Sequence, residues 1–135
     1  MDKLSSVDKG DAAEASVIAE LKRRGKVVLT PFGDNQRYDI VIDEGGNFTR
    51  VQVKTAREVE DGKVVFDTAG NHTNTKGTTS KPYDKTEIDM FIAYNPKRDV
   101  MYRVSVEDAP NRSMIIRHKA KQNQPAINWA EDYQY

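Results

Sequence analysis

Asp39, Gln52 and Lys54 stand out as polar residues in a stretch otherwise built for a strand pair. YDIVID (38–43) and FTRVQVKTA (48–56) flank the turn EGGN (44–47). A two-residue connection at Gly45-Gly46 is a favoured hairpin turn. It sets Glu44 opposite Asn47, and continuing that register sets Asp39 opposite Gln52. A four-residue loop over 44–47 gives the same pairing. Residues two apart on a strand share a face, so Lys54 joins Gln52 on the side of Asp39. Ile40, Ile42, Val51 and Val53 make the other side apolar. Directly opposed Cβ atoms lie about 5 Å apart, so a carboxylate, a carboxamide and an ammonium group come together. That trio suits phosphodiester hydrolysis. The carboxylate offers hard oxygen to Mg²⁺, and the Gln52 amide oxygen offers a neutral second ligand. The Lys54 ammonium can meet charge developing at phosphorus, or orient a water. Glu14, in a helix upstream, is a candidate third acid. The same pattern also describes the solvated side of an ordinary hairpin, and a lone Glu14 also reads as a surface helix acid, so spacing leaves both readings open.

The elements that must position these residues follow from periodicity. Residues 8–25 read as a helix with Val17, Ile18 and Leu21 on an apolar stripe, Ala12 and Ala13 behind it, and Gly25 as the stop. Strands are expected at 26–30, 38–43, 48–56, 63–68, 88–94, 100–106 and 114–118, and a short terminal helix at 128–133. The stretch AGNHTNTKGTTSKP (69–82) has almost no apolar residues and reads as a mobile surface loop or a substrate-binding one. The expectation is an α/β fold: one domain over 1–135, with one or two helices around a mixed sheet of about six strands.

Composition removes several classes of function. The chain lacks cysteine, which excludes thiol chemistry, disulfides and Cys-based zinc sites. His72 and His118 are far apart in polar surroundings, which argues against a histidine metal site or a Ser-His-Asp triad. The 135 residues hold no apolar run of membrane-spanning length and no signal-peptide pattern, so a cytoplasmic protein without a membrane partner is expected. Net charge is zero, with 21 basic and 21 acidic residues, but residues 68–121 hold ten Lys/Arg against six Asp/Glu. Within them RSMIIRHKAK (112–121) has no acid. Its Arg112, Arg117 and Lys119 read either as a phosphate-contacting strip or as a solvated strand end. Lys76 and Lys81 in 69–82 are further candidates for phosphate contact.

Asp39 followed by Gln52-Val53-Lys54, with Glu14 in a preceding helix, resembles the PD-(D/E)XK nuclease superfamily. That superfamily includes type II restriction enzymes and archaeal Holliday junction resolvases. The nearest likeness is to the small endonuclease family that contains a cyanobacterial group I intron homing endonuclease. GDAAEASVIAELKRRG (10–25), YDIVID (38–43), RVQVKT (50–55), IDMFIAYNPKRDVMYRV (88–104) and AINWAEDY (126–133) carry the likeness. It implies a restriction-endonuclease-like core, a central mixed sheet flanked by helices, and Mg²⁺-dependent cleavage of DNA, with Mn²⁺ able to substitute. It places Asp39 at the metal-binding aspartate, Lys54 at the catalytic lysine and Glu14 at the helix glutamate. Gln52 stands where most of the superfamily has an acid, and Arg37-Tyr38, not proline, precedes Asp39. Cleavage of both strands implies a homodimer or homotetramer. A junction resolvase, a non-catalytic nucleic-acid-binding domain of the same fold and a small interaction module are the alternatives.

Overall fold

The computed structural model describes residues 4–33, 35–74, 77–119 and 126–135, with backbone alone for 71–74 and 77–80. Helix α1 (Ser6–Arg23) begins where the Ser5 hydroxyl accepts the Asp8 N–H at 3.1 Å. Lys22 and Arg23 occupy its last turn, where cations suit the negative end of the helix dipole. Its buried face is Ala13, Val17 and Leu21, one residue per turn. The strands are β1 (Val27–Leu29), β2 (Ile40–Glu44), β3 (Asn47–Thr55), β4 (Arg57–Glu60), β5 (Lys63–Asp67), β6 (Ala69–Asn74), β7 (Gly77–Pro82), β8 (Met90–Asn95), β9 (Val100–Ser105) and β10 (Ser113–Arg117). A short helix α2 (Ala130–Tyr133) follows.

Five strands form the central sheet in the order β1-β2-β3-β8-β9, with β3 and β8 parallel and the other neighbours antiparallel. The β2–β3 turn has Gly45 at φ +65° and Gly46 at φ +94°, the left-handed values this hairpin type demands. It sets Ile40 opposite Val51 and Ile42 opposite Thr49, the expected register. One face of the sheet buries Ile40, Ile42, Val51, Val53, Ile92 and Met101 against Ala13, Val17 and Leu21 of α1. The other face buries Phe91, Ala93, Tyr102 and Val104 against Val64, Phe66, Met114 and Ile116 of a smaller antiparallel sheet, β10-β5-β4. Alternation along β8 and β9 therefore feeds two cores, whereas β3 feeds one and turns Gln52 and Lys54 the other way. Among the described residues no helix is long and apolar enough to cross a membrane.

The α/β class and the central mixed sheet are as expected, and two details differ. The strands do not make one sheet of about six, because β3 stops at Thr55 and the chain crosses at buried Ala56 into β4 of the second sheet. Helix α1 covers one face of the central sheet and the smaller sheet covers the other. The polar stretch 69–82 is not a loop: β6 and β7 pair antiparallel from Ala69–Pro82 to Asn74–Gly77. A backbone ladder needs no apolar face, and the threonines that fill this stretch suit extended backbone.

Candidate active site

Register ends one residue before the site. The ladder of β2 and β3 runs through Ile40 and Val51 and goes no further, and Asp39 bends away from it. The Asp39 N–H donates to the Val51 carbonyl at 2.8 Å, and its carboxylate accepts the Val53 N–H at 2.9 Å. The side chain thus takes a donor on β3 that a longer β2 would have used. The two bonds fix the carboxylate at the point where the sheet opens. Gln52 and Lys54, half-buried, alternate with Val51 and Val53 and so belong to the face turned towards the smaller sheet.

Glu14, on α1, meets Asp39 from the other side. The two carboxylates line one cleft of about 250 Å³ with Thr30, Pro31, Gly33, Gln36 and Tyr38. Gln52 and Lys54 do not line that cleft. The Lys54 Nζ instead donates to the Ala69 carbonyl at 3.3 Å and lies 5.1 Å from the centre of the Tyr83 ring. The structure thus joins Glu14 to Asp39 through a cleft and leaves Lys54 within electrostatic reach of Asp39, while Gln52 stands on β3 outside the cleft.

The electrostatics are of one kind. Burial pushes the Asp39 carboxyl above its ordinary value, against the opposing pull of the Val53 N–H and of Lys54. Burial also raises Glu14, and the negative charges of Asp39 and Asp11 add to it. Burial lowers the Lys54 amine, partly offset by Asp67 and Asp39, while Arg37 pushes it further down. All three groups are pushed towards their neutral forms, a condition that a bound cation or phosphate would reverse.

Among the described residues no cluster of three or more His, Cys, Asp or Glu has metal-binding spacing. The cleft offers the Glu14 and Asp39 carboxylates, and Gln52 does not line it. An all-oxygen set of that size suits Mg²⁺ or Mn²⁺, ions that keep several waters when bound.

Residues that sequence reasoning passed over complete the surroundings. Arg37 stacks on Tyr83, its Cζ 3.7 Å from the ring centre, and pairs with Glu87 at 2.9 Å. Asp67 ends β5 within electrostatic reach of Lys54. In the sequence Arg37 is visible only as a departure from the family pattern before Asp39, and Tyr83 carries no signal at all.

The basic candidates are dispersed. Arg112 is exposed just before β10, and the Lys81 side chain is exposed, 3.7 Å from Glu87. Lys119 is exposed and paired with Asp61. Arg117 is 5% exposed, so it does not present a guanidinium at the surface. Its N–H donates to the Asn128 carbonyl at 2.8 Å as the C-terminal segment runs alongside it. The strip contiguous in sequence is therefore not a strip in space. Lys76 lies outside the described residues.

Comparison with known proteins bears on the family and the fold. The sequence matches the family described as PD-(D/E)XK endonuclease over residues 4–135. The fold is similar to that of a bacterial homing endonuclease, I-Ssp6803I, with a TM-score of 0.80 and 26% identity, covering 97% of this chain and 89% of that one. No curated protein sequence matches.

Proposed function

The chain belongs to the PD-(D/E)XK endonuclease family, and on that premise we propose that it hydrolyses phosphodiester bonds of DNA with Mg²⁺, Mn²⁺ being able to substitute. The observation that carries this reading is the Asp39 carboxylate, fixed on the Val53 N–H where the sheet opens and sharing a cleft with Glu14. Asp39 is the main anionic ligand, Glu14 the second carboxylate and Gln52 a neutral oxygen ligand. When bound, the ion supplies a Lewis acid for the phosphate and an acidified water.

The protein's own residues do the rest. The Val53 N–H holds one Asp39 oxygen, which fixes how the carboxylate is presented. Glu14 adds a second negative group across the cleft, so that a cation entering there relieves the repulsion between the two carboxylates. Lys54, within electrostatic reach of Asp39, meets charge that grows on the phosphoryl oxygens in the transition state.

The likeness to a homing endonuclease supports double-strand cleavage, and two cuts call for two sites, hence a homodimer or homotetramer. Lys81 and Arg112, with Lys76, are the cations proposed to meet the DNA backbone.

The test uses Lys54→Ala with Mg²⁺ and linear, supercoiled and four-way-junction DNA. The variant should cut at least about 100-fold more slowly with DNA affinity within about threefold, because the contact matters mainly in the transition state. Cleavage by the variant at the wild-type rate, in a preparation free of other nucleases, overturns the assignment. Preference for the junction would point to a resolvase.

A further inference from the structure

Tyr83 and Arg37 lie outside the metal-facing set, yet each touches the structure around Lys54 at short range. The Tyr83 ring packs edge-on against core Phe91, with ring centres 5.4 Å apart, and this ties it to the central sheet. Lys54 Nζ lies 5.1 Å from that ring and Arg37 Cζ 3.7 Å from it. One π-system thus faces two cations. Arg37 spends its donors on the base of the β6–β7 ribbon: Nη1 donates to the Pro82 carbonyl at 3.1 Å and to Glu87 Oε1 at 2.9 Å, and Nη2 to the Lys81 carbonyl at 3.1 Å. The opposite strand of the ribbon supplies Ala69, whose carbonyl accepts from Lys54.

Gly70 explains how these groups fit. A Cβ there would collide with the Arg37 guanidinium and lie 2.9 Å from Tyr83 Oη. The backbone at the base of the ribbon therefore lies directly on the Arg37–Tyr83 stack. A fork of planar donors on an aromatic face is rigid, and lysine cannot reproduce it.

We propose that Arg37 and Tyr83 are positioning residues for Lys54: they clamp the base of the ribbon so that the Ala69 carbonyl and the Tyr83 ring set the direction of the amine. The amine is aimed from outside its own strand, by chain that leaves the second sheet at Asp67. The inference rests on Lys54 acting in cleavage as proposed above.

The test compares Tyr83→Leu, Tyr83→Phe, Arg37→Met and Arg37→Lys with Lys54→Ala and the wild type. Single-turnover cleavage is measured with saturating Mg²⁺, DNA affinity with Ca²⁺ in its place, and thermal melting on each variant. A misplacement of about 1 Å in a catalytic group costs up to about 100-fold in rate. Tyr83→Leu and Arg37→Met should therefore slow cleavage about tenfold or more, with affinity within about threefold. Tyr83→Phe keeps the ring and should restore the rate to within about twofold, and Arg37→Lys should fall between. The proposal is overturned if Tyr83→Leu and Arg37→Met cut normally, if they lose affinity in proportion to rate, or if Tyr83→Phe is as slow as Tyr83→Leu. Should Tyr83→Leu melt far below the wild type, the Arg37 pair, at a partly exposed side chain, decides the matter by the same criteria. Lys54→Ala separates the two levels. If it cuts normally, the reading of the site fails and takes this one with it. If it is inactive while the clamp variants are unimpaired, the clamp alone fails.

Discussion

Two polar clusters, one around Glu58 and one around Asp39, are built on opposite rules. Glu58 has a side chain 1% exposed, and it accepts from Arg98 Nε and Nη2 at 2.7 and 2.9 Å, from Asn95 Nδ2 at 3.1 Å and from the Gly62 N–H at 3.0 Å. Asn95 reaches on to Tyr102 Oη at 3.1 Å, which lies 2.6 Å from His118 Nε2. Chiefly because of the Arg98 hydrogen bonds, the Glu58 carboxyl is held down at about 2. Asp39 takes one backbone donor, shares its cleft with a second acid, and is pushed up by burial. A network that stabilises its own charges joins elements together, here the β4–β5 turn, the β8–β9 turn and the end of β10. A cluster whose charges are under-compensated is suited to receive charge from outside. Burial pushes both carboxyls up; what distinguishes them is whether hydrogen bonds outweigh it, as they do at Glu58 and do not at Asp39.

The sharpest way to break this contrast is a matched pair of amide substitutions. Asp39→Asn should lower the cleavage rate about 1000-fold or more by removing the main anionic ligand, with only partial rescue at higher Mg²⁺. It should leave the melting temperature unchanged or slightly raised, because a carboxyl held above its usual value gives up stability when ionised. Glu58→Gln should do the reverse, leaving cleavage at 25 °C intact and removing up to about 3 kcal/mol of stability, as a fall from 4.5 to about 2 implies.

Acid titration separates the pair further. The lowered Glu58 contributes in full above its unfolded value, near 4.5, and that contribution disappears as pH falls to about 2. Asp39 and Glu14, both raised, oppose folding while ionised, and that penalty disappears as pH falls through their folded values. Urea melts from pH 2 to 7 should show a wild-type advantage over Glu58→Gln that is constant above about pH 5 and gone near pH 2. A constant gap down to pH 2 would mean that the Glu58 network is not what lowers its carboxyl.

A smaller effect sharpens the comparison from the side of the site. Gln52→Glu adds a negative charge on β3 next to Val53, whose N–H holds Asp39, and one more anion in the proposed ligand set is tolerated only if a cation neutralises it. The Mg²⁺ concentration for half-maximal cleavage should fall by about threefold to tenfold with activity retained, since ligand charge tunes affinity for such ions. An unchanged Mg²⁺ dependence would remove Gln52 from the ligand set.

The parts of this molecule legible in its sequence are those governed by local periodicity. Gly45-Gly46 and the alternation of Ile40, Ile42, Val51 and Val53 determine the hairpin register, and the register puts Gln52 and Lys54 on one face. The same rule overshoots by one residue, because it cannot foresee that Asp39 leaves the ladder to use its side chain on Val53. Along β10, Met114 and Ile116 are buried and Ile115 is exposed, so alternation would turn Arg117 outwards; residues 128–129, arriving from the C-terminus, bury it instead. Tyr83 and Arg37 come together only through tertiary packing, 46 positions apart. The 69–82 ribbon has no periodic apolar pattern, so nothing local in its sequence marks a ladder of polar residues.

The parallel pairing of β3 with β8 bears on how the chain is made. Residues 56–89 separate the two strands, so on the ribosome the hairpin of β2 and β3 is complete well before Met90–Asn95 has been synthesised. Hairpins close in about 1–10 μs, whereas residues are added at about 5–20 per second. For seconds, then, the nascent chain holds its hairpin with the β8-facing side of β3 unpaired, one apolar face meant for α1 and the other for a sheet not yet formed. Such an edge invites pairing with another copy. A chain ending at Thr68 should scatter light and sediment where the full-length protein stays dispersed, and supplying residues 88–106 as a peptide should reduce that aggregation by closing the same edge.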